Sequence, residues 1–156
     1  MKARQCGNCG NKTMELQSVK GPFPWKDFSA VSLLAPIELL KCSKCGELGY
    51  RPKDAETIDR AVEATIRALT GMFIESIISR EKCSQLVLAE RVGITPEYLS
   101  GIKTGTRTPG FQTFNILKIL AEDPSAFQVS DPLFEIDEII SSPPMESYRA
   151  ALKKLA

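Results

Sequence analysis

Histidine is absent from this sequence of 156 residues. The commonest general base, the Ser–His and Cys–His nucleophile pairs and every mixed Cys/His zinc site are therefore excluded. The chain also lacks a glycine-rich loop of the kind that cradles phosphate. We predict that the protein is not an enzyme.

Long apolar runs are lacking too. The best candidate, residues 31–40, is interrupted by Pro36 and Glu38 and is too short to cross a bilayer. The first ten residues lack the apolar core of a signal peptide, so the sequence predicts a cytoplasmic protein with no membrane partner. Thiols stay reduced in that compartment, and paired cysteines there indicate metal or redox chemistry.

The chain carries little net charge, but that charge is unevenly spread. The formal net charge is +1, with +3 on residues 1–50, +2 on residues 51–120 and −4 on residues 121–156. An acidic C-terminal section therefore offsets a mildly basic remainder. We expect the basic remainder to be the part that faces DNA.

The first fifty residues have the pattern of short strands. β-Branched and aromatic residues occur in residues 14–19, 23–28 and 30–40, and these short runs are punctuated by Gly21, Pro22, Pro24 and Pro36. A β-rich unit of this size buries only a small fraction of its surface and needs an additional cross-link, such as a bound metal ion. We predict that residues 1–50 unfold without that cross-link while the helical remainder stays folded.

After residue 52 the pattern becomes helical. Apolar residues recur at spacings of three and four from Ile58 to Leu69, Asp54 is the predicted cap, and Gly71 is predicted to end this helix. The further helical segments predicted are residues 73–78, 84–92, 95–103, 111–121, a turn from residue 123, an amphipathic stretch at 135–140 and a terminal helix at 148–155.

Four of the five cysteines form two similar turns. Cys6 and Cys9 stand in Cys-Gly-Asn-Cys-Gly, and Cys42 and Cys45 stand in Cys-Ser-Lys-Cys-Gly. A two-residue gap lets both sulfurs of a turn reach one ion, and the following glycine can adopt the positive φ that directs backbone N–H groups to the thiolates. Four sulfurs leave no position for water. We therefore predict one structural Zn²⁺ ion, with Zn–S distances of about 2.3 Å.

Two other chemistries use similar turns. A thioredoxin-like redox pair needs one Cys-x-x-Cys at the start of a helix. A rubredoxin-like electron carrier holds iron in the same four-sulfur tetrahedron, and ligand type does not separate iron from zinc. Cys83 stands apart from both turns, and we interpret it as a small, partly buried residue before a helix.

Residues 84–110 have the pattern of a helix-turn-helix. Ser84 and Thr95 are predicted N-caps, Pro96 suits the first helical position, and Gly93 can end the first helix in the left-handed conformation. The second helix of such a motif enters the major groove by its N-terminal part. The positions predicted to face inward are Leu88, Ala89, Leu99 and Ile102.

This segment resembles the Xre/Cro-type helix-turn-helix domain. The matching residues are Ser84, Gln85, Leu88, Ala89, Gly93, Ile94, Leu99, Gly105, Arg107 and Pro109, with an apolar helix at residues 111–121 behind them. A Cys-x-x-Cys turn at each end of a β-rich unit, followed by this domain, resembles the MqsA-type antitoxins with their YgiT-type zinc finger over about residues 1–122. The resemblance implies a zinc unit that binds a toxin protein, and a domain that forms a homodimer and represses its own operon on double-stranded DNA.

The outward positions of the motif are the candidate DNA contacts. The family usually has Asn, Gln or Arg at base-reading positions, and this chain has Glu97 and Gly101 at the corresponding places. Glu97 can accept a hydrogen bond from cytosine N4 but is repelled by phosphate, and Gly101 has no side chain to read a base. Base reading would fall to Glu97, Tyr98 and Ser100, and phosphate contacts to Lys103, Arg107 and Lys118. The full predicted DNA-binding set is Gln85, Thr95, Pro96, Glu97, Tyr98, Ser100, Lys103, Thr104 and Arg107.

The sequence as a whole predicts an α+β multidomain protein, with a small β-rich N-terminal unit that binds zinc through four cysteines and an all-α helix-turn-helix domain. The predicted divisions are a zinc-binding domain at 1–52, a linking helix at 53–70, a helix-turn-helix domain at 71–122 and an acidic extension at 123–156. The predicted function is that of a zinc-stabilised transcriptional regulator, the antitoxin of a toxin–antitoxin pair. A regulator without a toxin and an iron electron carrier are the alternatives.

Overall fold

The computed structural model describes residues 4–128 of the chain. Its elements, in chain order, are β1 (Met14–Val19), β2 (Phe23–Trp25), β3 (Phe28–Val31), β4 (Ile37–Cys42), β5 (Leu48–Gly49), α1 (Asp54–Glu81), α2 (Gln85–Val92), α3 (Pro96–Lys103), α4 (Phe111–Glu122) and α5 (Pro124–Gln128). Strands come first and helices follow, which confirms the predicted two-part α+β architecture.

Among the described residues, those up to Asp123 form one compact unit, and α5 belongs to a second. The segments predicted at residues 135–140 and 148–155 lie outside the described residues, as does most of the predicted acidic extension. No helix among residues 4–128 combines the length and the apolar content needed to cross a membrane.

The larger sheet has the strand order β1-β4-β5, and both pairings are antiparallel. β1 pairs with β4 over six residues, from Met14 opposite Cys42 to Val19 opposite Ile37, and β1 has the predicted bounds. This register brings the two cysteine turns together. The start of β1, just after the first turn, lies beside the end of β4, where the second turn begins.

The β-rich run at residues 30–40 contributes to two strands. The run is divided between β3 and β4 by a loop in which Leu33 is buried and its N–H donates to the carbonyl of Lys20 at 2.7 Å. Pro36, in the same loop, has no N–H to give to a sheet. The break that Pro36 indicates in the sequence and the burial of Leu33 together separate β3 from β4.

The run at residues 23–28 is also divided, and it forms a hairpin. β2 and β3 pair antiparallel, with Phe23 opposite Val31 and Trp25 opposite Phe28. The turn between them contains Lys26 at φ 48°, a conformation outside the extended range of a strand. The β-rich run at residues 23–28 therefore contains β2, a tight turn and the first residue of β3.

The predicted helix break at Gly71 is wrong, because α1 continues through it for 28 residues. The predicted division between residues 70 and 71 therefore falls inside one helix. A Cβ on Gly71 would stand 3.2 Å from the backbone carbonyl oxygen of Lys103, at the end of α3. Gly71 permits a close crossing of two helices, a role that has the same sequence signature as a helix end.

Asp54 does not cap α1 as predicted, since the N-cap is Lys53 and Asp54 is the first helical residue. The buried Asp54 carboxylate accepts hydrogen bonds from the backbone N–H of Arg51 at 2.8 Å and from its guanidinium at 2.7 Å. The same guanidinium donates to the carbonyl of Glu38 on β4 at 3.1 Å. The ion pair therefore ties the start of α1 to the sheet.

One apolar core joins the strands to the helices. The ring of Phe28 meets those of Phe111 and Phe114 on α4 edge to face, with centroids 5.2 and 5.3 Å away. A separate small cluster surrounds the cysteines. The buried members of the main core are Phe23, Phe28, Val31, Leu33, Leu39, Val62 and Ile66, and those of the small cluster are Cys6, Met14 and Cys42.

Candidate metal centre and nucleic-acid interface

The four paired cysteines come together at one end of the larger sheet. Their Sγ atoms all lie within 4.8 Å of one another. Two separations between the turns, Cys6 to Cys45 and Cys9 to Cys42, are both 3.7 Å. A tetrahedral ion with bonds of about 2.3 Å to sulfur has S···S edges of about 3.8 Å. The cluster can therefore hold one metal ion, as the sequence predicted.

The two cysteine turns have the same backbone hydrogen bonds. The N–H of Gly10 donates to the carbonyl of Cys6 at 3.0 Å, and the N–H of Gly46 donates to the carbonyl of Cys42 at 2.9 Å. Both glycines have positive φ, 71° and 77°, as predicted. Residues with a β-carbon rarely adopt this conformation, so each turn needs a glycine at this position.

The sulfurs differ in acidity. The hydroxyl of Thr13, 3.0 Å from the Sγ of Cys42, and the backbone N–H of Cys45 lower the pKa of Cys42 to about 6. The backbone N–H of Glu47 acts in the same direction on Cys45, but partial desolvation and the three neighbouring sulfurs outweigh it and raise the pKa of Cys45 to about 12. Four thiolates this close repel one another, so a cation is needed to ionise them all, and its binding releases the remaining protons.

Polar groups surround the outer side of the cluster. The side-chain amide of Asn8 lies 4.0 Å from the Sγ of Cys45, and the side chain and backbone N–H of Asn11 lower the pKa of Cys9. The ammonium of Lys44 donates to the Asn11 amide oxygen at 3.4 Å. Four thiolates around a divalent ion leave two negative charges, which these donors partly offset.

The ligand set suits a structural ion. Among residues 4–128, no acidic side chain joins the four sulfurs, and a four-sulfur site has no open position for substrate. Neither cysteine turn begins a helix, so the thioredoxin-like interpretation is wrong. Cys83 lies partly buried between α1 and α2, as predicted.

Helices α2 and α3 form a helix-turn-helix pair joined by residues 93–95. The hydroxyls of Ser84 and Thr95 each accept a hydrogen bond from the first turn of the helix that follows, at 3.3 and 3.2 Å, which confirms both predicted N-caps. Gly93 ends α2 at φ 72°, also as predicted. The positions predicted to face inward are all buried: Leu88, Ala89, Leu99 and Ile102.

Most of the predicted DNA contacts belong to α3 and the loop after it. Gln85 is the first residue of α2, and Lys118, on α4, forms an ion pair with Glu122 at 3.9 Å on the protein surface. Whether these side chains contact DNA stays a prediction. The exposed members of the predicted set are Thr95, Pro96, Glu97, Ser100, Thr104 and Arg107, and the half-buried ones are Gln85, Tyr98 and Lys103.

The loop after α3 is held by α1. The hydroxyl of Thr108 donates to the carboxylate of Glu63 at 2.9 Å and accepts from the guanidinium of Arg67 at 2.6 Å. Arg67 and Glu63 also form an ion pair at 3.1 Å. The pKa of Glu63 is lowered, mainly by the hydrogen bond from Thr108 and to a smaller extent by the ion pair with Arg67. Sequence reasoning missed these residues, and missed Thr13 beside Cys42, because they have no fixed spacing that would signal the contact.

No protein-family model matches this chain, and no curated protein matches it in sequence. The resemblance to the MqsA-type antitoxins therefore rests on the residues and spacings of the chain itself.

Proposed function

We propose that this protein is a zinc-holding, DNA-binding regulator of transcription. The observation that carries the proposal is the pair α2 and α3, with its short turn, capped helices and exposed N-terminal half of α3. In this arrangement the second helix enters the major groove while the helix before it crosses the backbone. Thr95, Glu97 and Ser100 are exposed at the end of α3 that would lead into the groove.

Phosphate contacts would fix the register of the protein on DNA. Gln85 stands at the N-terminus of α2, where backbone N–H groups and the helix dipole favour an anion. Lys103 adds a positive charge at the other end of α3, and Arg107 follows it in the loop after the helix. The segment of residues 84–110 has three basic and two acidic side chains, so its charge is small, and we expect modest affinity from one copy alone. A homodimer reading two half-sites would raise that affinity.

Zinc is the metal that we propose, with a structural role. The cluster around the sulfurs is small, and its apolar neighbours are Met14 and Leu40. Zn²⁺ has no redox chemistry and supplies folding energy outright to small units of this kind. Elemental analysis of the purified full chain is expected to find one zinc per chain and a colourless protein. A red protein with stoichiometric iron would instead support the electron-carrier alternative.

The finer proposal is that the regulator is an antitoxin. It rests on the resemblance of residues 1–122 to the MqsA-type family, with the β-rich part as the surface that binds the toxin. Co-expression with the neighbouring gene is the test. A stable complex and relief of toxicity are expected, whereas a harmless neighbour that forms no complex would leave a regulator without a toxin.

DNA binding is tested by gel shift of the full chain on the DNA flanking its own gene, with excess unrelated DNA. We expect specific retardation that weakens steeply with salt. Ser100→Glu places a negative charge on the proposed DNA face of α3 and is expected to weaken binding by about tenfold or more, since charge repulsion by phosphate is added to a lost contact. The matched control is Ser76→Glu, the same change at an exposed serine of α1, which should bind as the wild type does.

Absence of specific retardation by the wild-type protein would refute the regulator proposal. Equal weakening by Ser100→Glu and Ser76→Glu would show a general charge effect, and would remove α3 from the interface.

A further inference from the structure

The side chain of Arg107 lies across Gly101 on α3. A Cβ built on Gly101 would stand 3.0 Å from Cδ and 3.2 Å from Cγ of Arg107. Carbon atoms at van der Waals contact lie about 3.5–4.0 Å apart. The Arg107 stem therefore occupies the place that any side chain at position 101 would take.

The loop that carries Arg107 is fixed against the same helix position. The carbonyl oxygen of Gly101 accepts the backbone N–H of Arg107 at 3.1 Å and the hydroxyl of Thr106 at 3.1 Å. The Thr104 hydroxyl lies 3.3 Å from that oxygen and 3.3 Å from the Thr106 hydroxyl. Thr108, one residue beyond, is held by α1. The backbone of Arg107 is thus placed by its own hydrogen bond to Gly101 and by the hydrogen bonds of Thr106 and Thr108 on either side of it.

The guanidinium of Arg107 differs from those of the ion-paired arginines among residues 4–128. Four other arginines, namely Arg51, Arg60, Arg67 and Arg80, each pair with a carboxylate. Arg107 is exposed and has no carboxylate within ion-pairing distance in the part of the chain that the structure describes. Its five N–H donors are therefore available to a ligand.

The position of the Arg107 stem decides whether its guanidinium reaches the bases or the phosphates of DNA. Residues three and four apart on a helix share a face, so Gly101 lies on the face of Glu97 and Tyr98. Glu97 and Tyr98 lie in the N-terminal half of α3, which the proposed function directs into the major groove, and Gly101 continues their face one turn further along the helix. A guanidinium that extends from this face reaches base edges, whereas one that extends from a loop beside the helix reaches phosphate.

We propose that Arg107 is the principal base-reading side chain of this protein, that it donates two hydrogen bonds to a guanine in the major groove, and that Gly101 positions it. This inference rests on the proposed DNA-binding function. The Gly101 position on α3 carries no base-reading side chain of its own, and the loop supplies one from six positions further along the chain. Arginine is suited to this role because its planar fork matches guanine O6 and N7.

The test is selection of binding sequences from a pool of random duplexes, each about 25 base pairs long so that two half-sites fit, by the full zinc-loaded chain. Arg107→Ala is compared with Lys103→Ala, a variant that also loses one positive charge but loses it at the end of α3. For the sequences that the wild type selects, Arg107→Ala is expected to lose about tenfold or more of the preference for guanine at one position of each half-site. Lys103→Ala is expected to weaken binding to all sequences alike and to keep the preferences.

Gly101→Ala gives the second arm, because it keeps every atom of Arg107 and the net charge. Its Cβ displaces the Arg107 stem, and we expect the same guanine preference to be lost. Arg107→Lys should also lose it, since one ammonium cannot form the bidentate contact. Thermal unfolding checks that each variant is folded.

The outcomes separate the two proposals. A wild type that selects no sequence overturns the DNA-binding function and this inference with it. A wild type that selects a sequence, with Arg107→Ala weakening all duplexes uniformly, makes Arg107 a phosphate contact and overturns base reading alone. Retention of the guanine preference by Gly101→Ala would refute the positioning role of Gly101.

Discussion

The backbone carbonyl oxygen of Lys103 lies 3.2 Å from the point where a Cβ on Gly71 would stand. Helix α1 therefore crosses the end of α3 at a glycine in its own interior. A glycine there costs about 1 kcal/mol of helix stability relative to alanine. The close crossing offsets that cost, because it lets the end of the proposed recognition helix rest directly on α1.

The first prediction concerns Gly71→Ala. Overpacking against a backbone atom costs about 1–3 kcal/mol, which exceeds the gain of about 1 kcal/mol in helix propensity. We expect a net loss of about 1 kcal/mol in the free energy of unfolding, measured by chemical denaturation.

Gly101→Ala is the matched control, since it is the other glycine inside a helix of the described chain. The atom in its way belongs to the flexible stem of Arg107, which can move at little cost. Stability should therefore rise by up to about 1 kcal/mol. If Gly71→Ala stabilised the protein as much as Gly101→Ala does, the close crossing would have no energetic consequence.

The second prediction concerns Thr13→Val. The Thr13 hydroxyl is the largest cause of the lowered pKa of Cys42, about 6 against an ordinary 9.0. Without it the pKa of Cys42 rises toward its ordinary value, so above about pH 6 metal must displace a proton that the wild-type thiol has already lost. Loss of such a supporting hydrogen bond typically costs about 10–100-fold in metal affinity, so we expect roughly that loss near neutral pH.

The sign of the pH effect follows from the direction of the shift. Above about pH 9 the Cys42 thiol is ionised in both proteins, so the difference in zinc affinity should be smallest there and widen as the pH falls toward 6. Competition with a chromophoric chelator across this range measures it. Ser43→Ala is the control, because the Ser43 hydroxyl bonds to the Thr13 carbonyl and not to a sulfur. A difference that does not change with pH would mean that Thr13 acts by packing alone.

The third prediction is that metal removal leaves the β2–β3 hairpin in place. The chain has one tryptophan, Trp25, which packs on the main core with Phe28. Burying each large side chain of that core contributes about 1.5–3 kcal/mol without help from the metal. In Cys42→Ser, Trp25 emission should therefore stay native while amide protection is lost around the cysteine turns.

This expectation differs from that of the sequence, which treats residues 1–50 as one metal-dependent unit. Unfolded-like Trp25 emission in Cys42→Ser, with α1 still helical by circular dichroism, would restore the sequence-based expectation. Cys83→Ser is the control, because Cys83 lies outside the cluster and should leave both signals unchanged.

The fourth prediction compares two ion pairs of α1. Asp54 is buried and paired with Arg51, so Asp54→Asn leaves a poorly compensated guanidinium and should cost about 2–4 kcal/mol. The Glu56 and Arg60 side chains are 73% and 72% exposed, and Glu56→Gln should cost less than about 0.5 kcal/mol. Urea denaturation of both variants at neutral pH measures the contrast.

The same pair has a defined pH dependence. Hydrogen bonds from Arg51 hold the pKa of Asp54 below its ordinary 3.8. The contribution of the pair is therefore complete above about pH 4 and is lost as the pH falls through the lower, folded-state pKa. Wild-type stability should decline below about pH 4 more steeply than that of Asp54→Asn. Parallel curves would mean that Asp54 does not carry this dependence.

Several features of the fold and of the candidate site could be predicted from the spacing of residues along the sequence. The sequence alone determined the four clustered cysteines, the positive φ of Gly10 and Gly46, the strand β1, and the N-caps Ser84 and Thr95. The glycine conformations, the caps and the strand depend mainly on residues within a few positions of one another, and their chemistry needs no knowledge of the rest of the chain. The meeting of the two distant cysteine turns was predictable because one tetrahedral ion needs four ligands and each turn supplies two.

Contacts between distant segments were decided only by the tertiary structure. Gly71 reads as a helix end in sequence, and the approach of Lys103, 32 positions away, makes it a crossing point. The same holds for Thr13 beside Cys42 and for Arg107 across Gly101. A hydroxyl, a glycine or an arginine has many uses, and which one it serves depends on the atoms that packing brings next to it. Periodicity and spacing report only on the segment in which they occur.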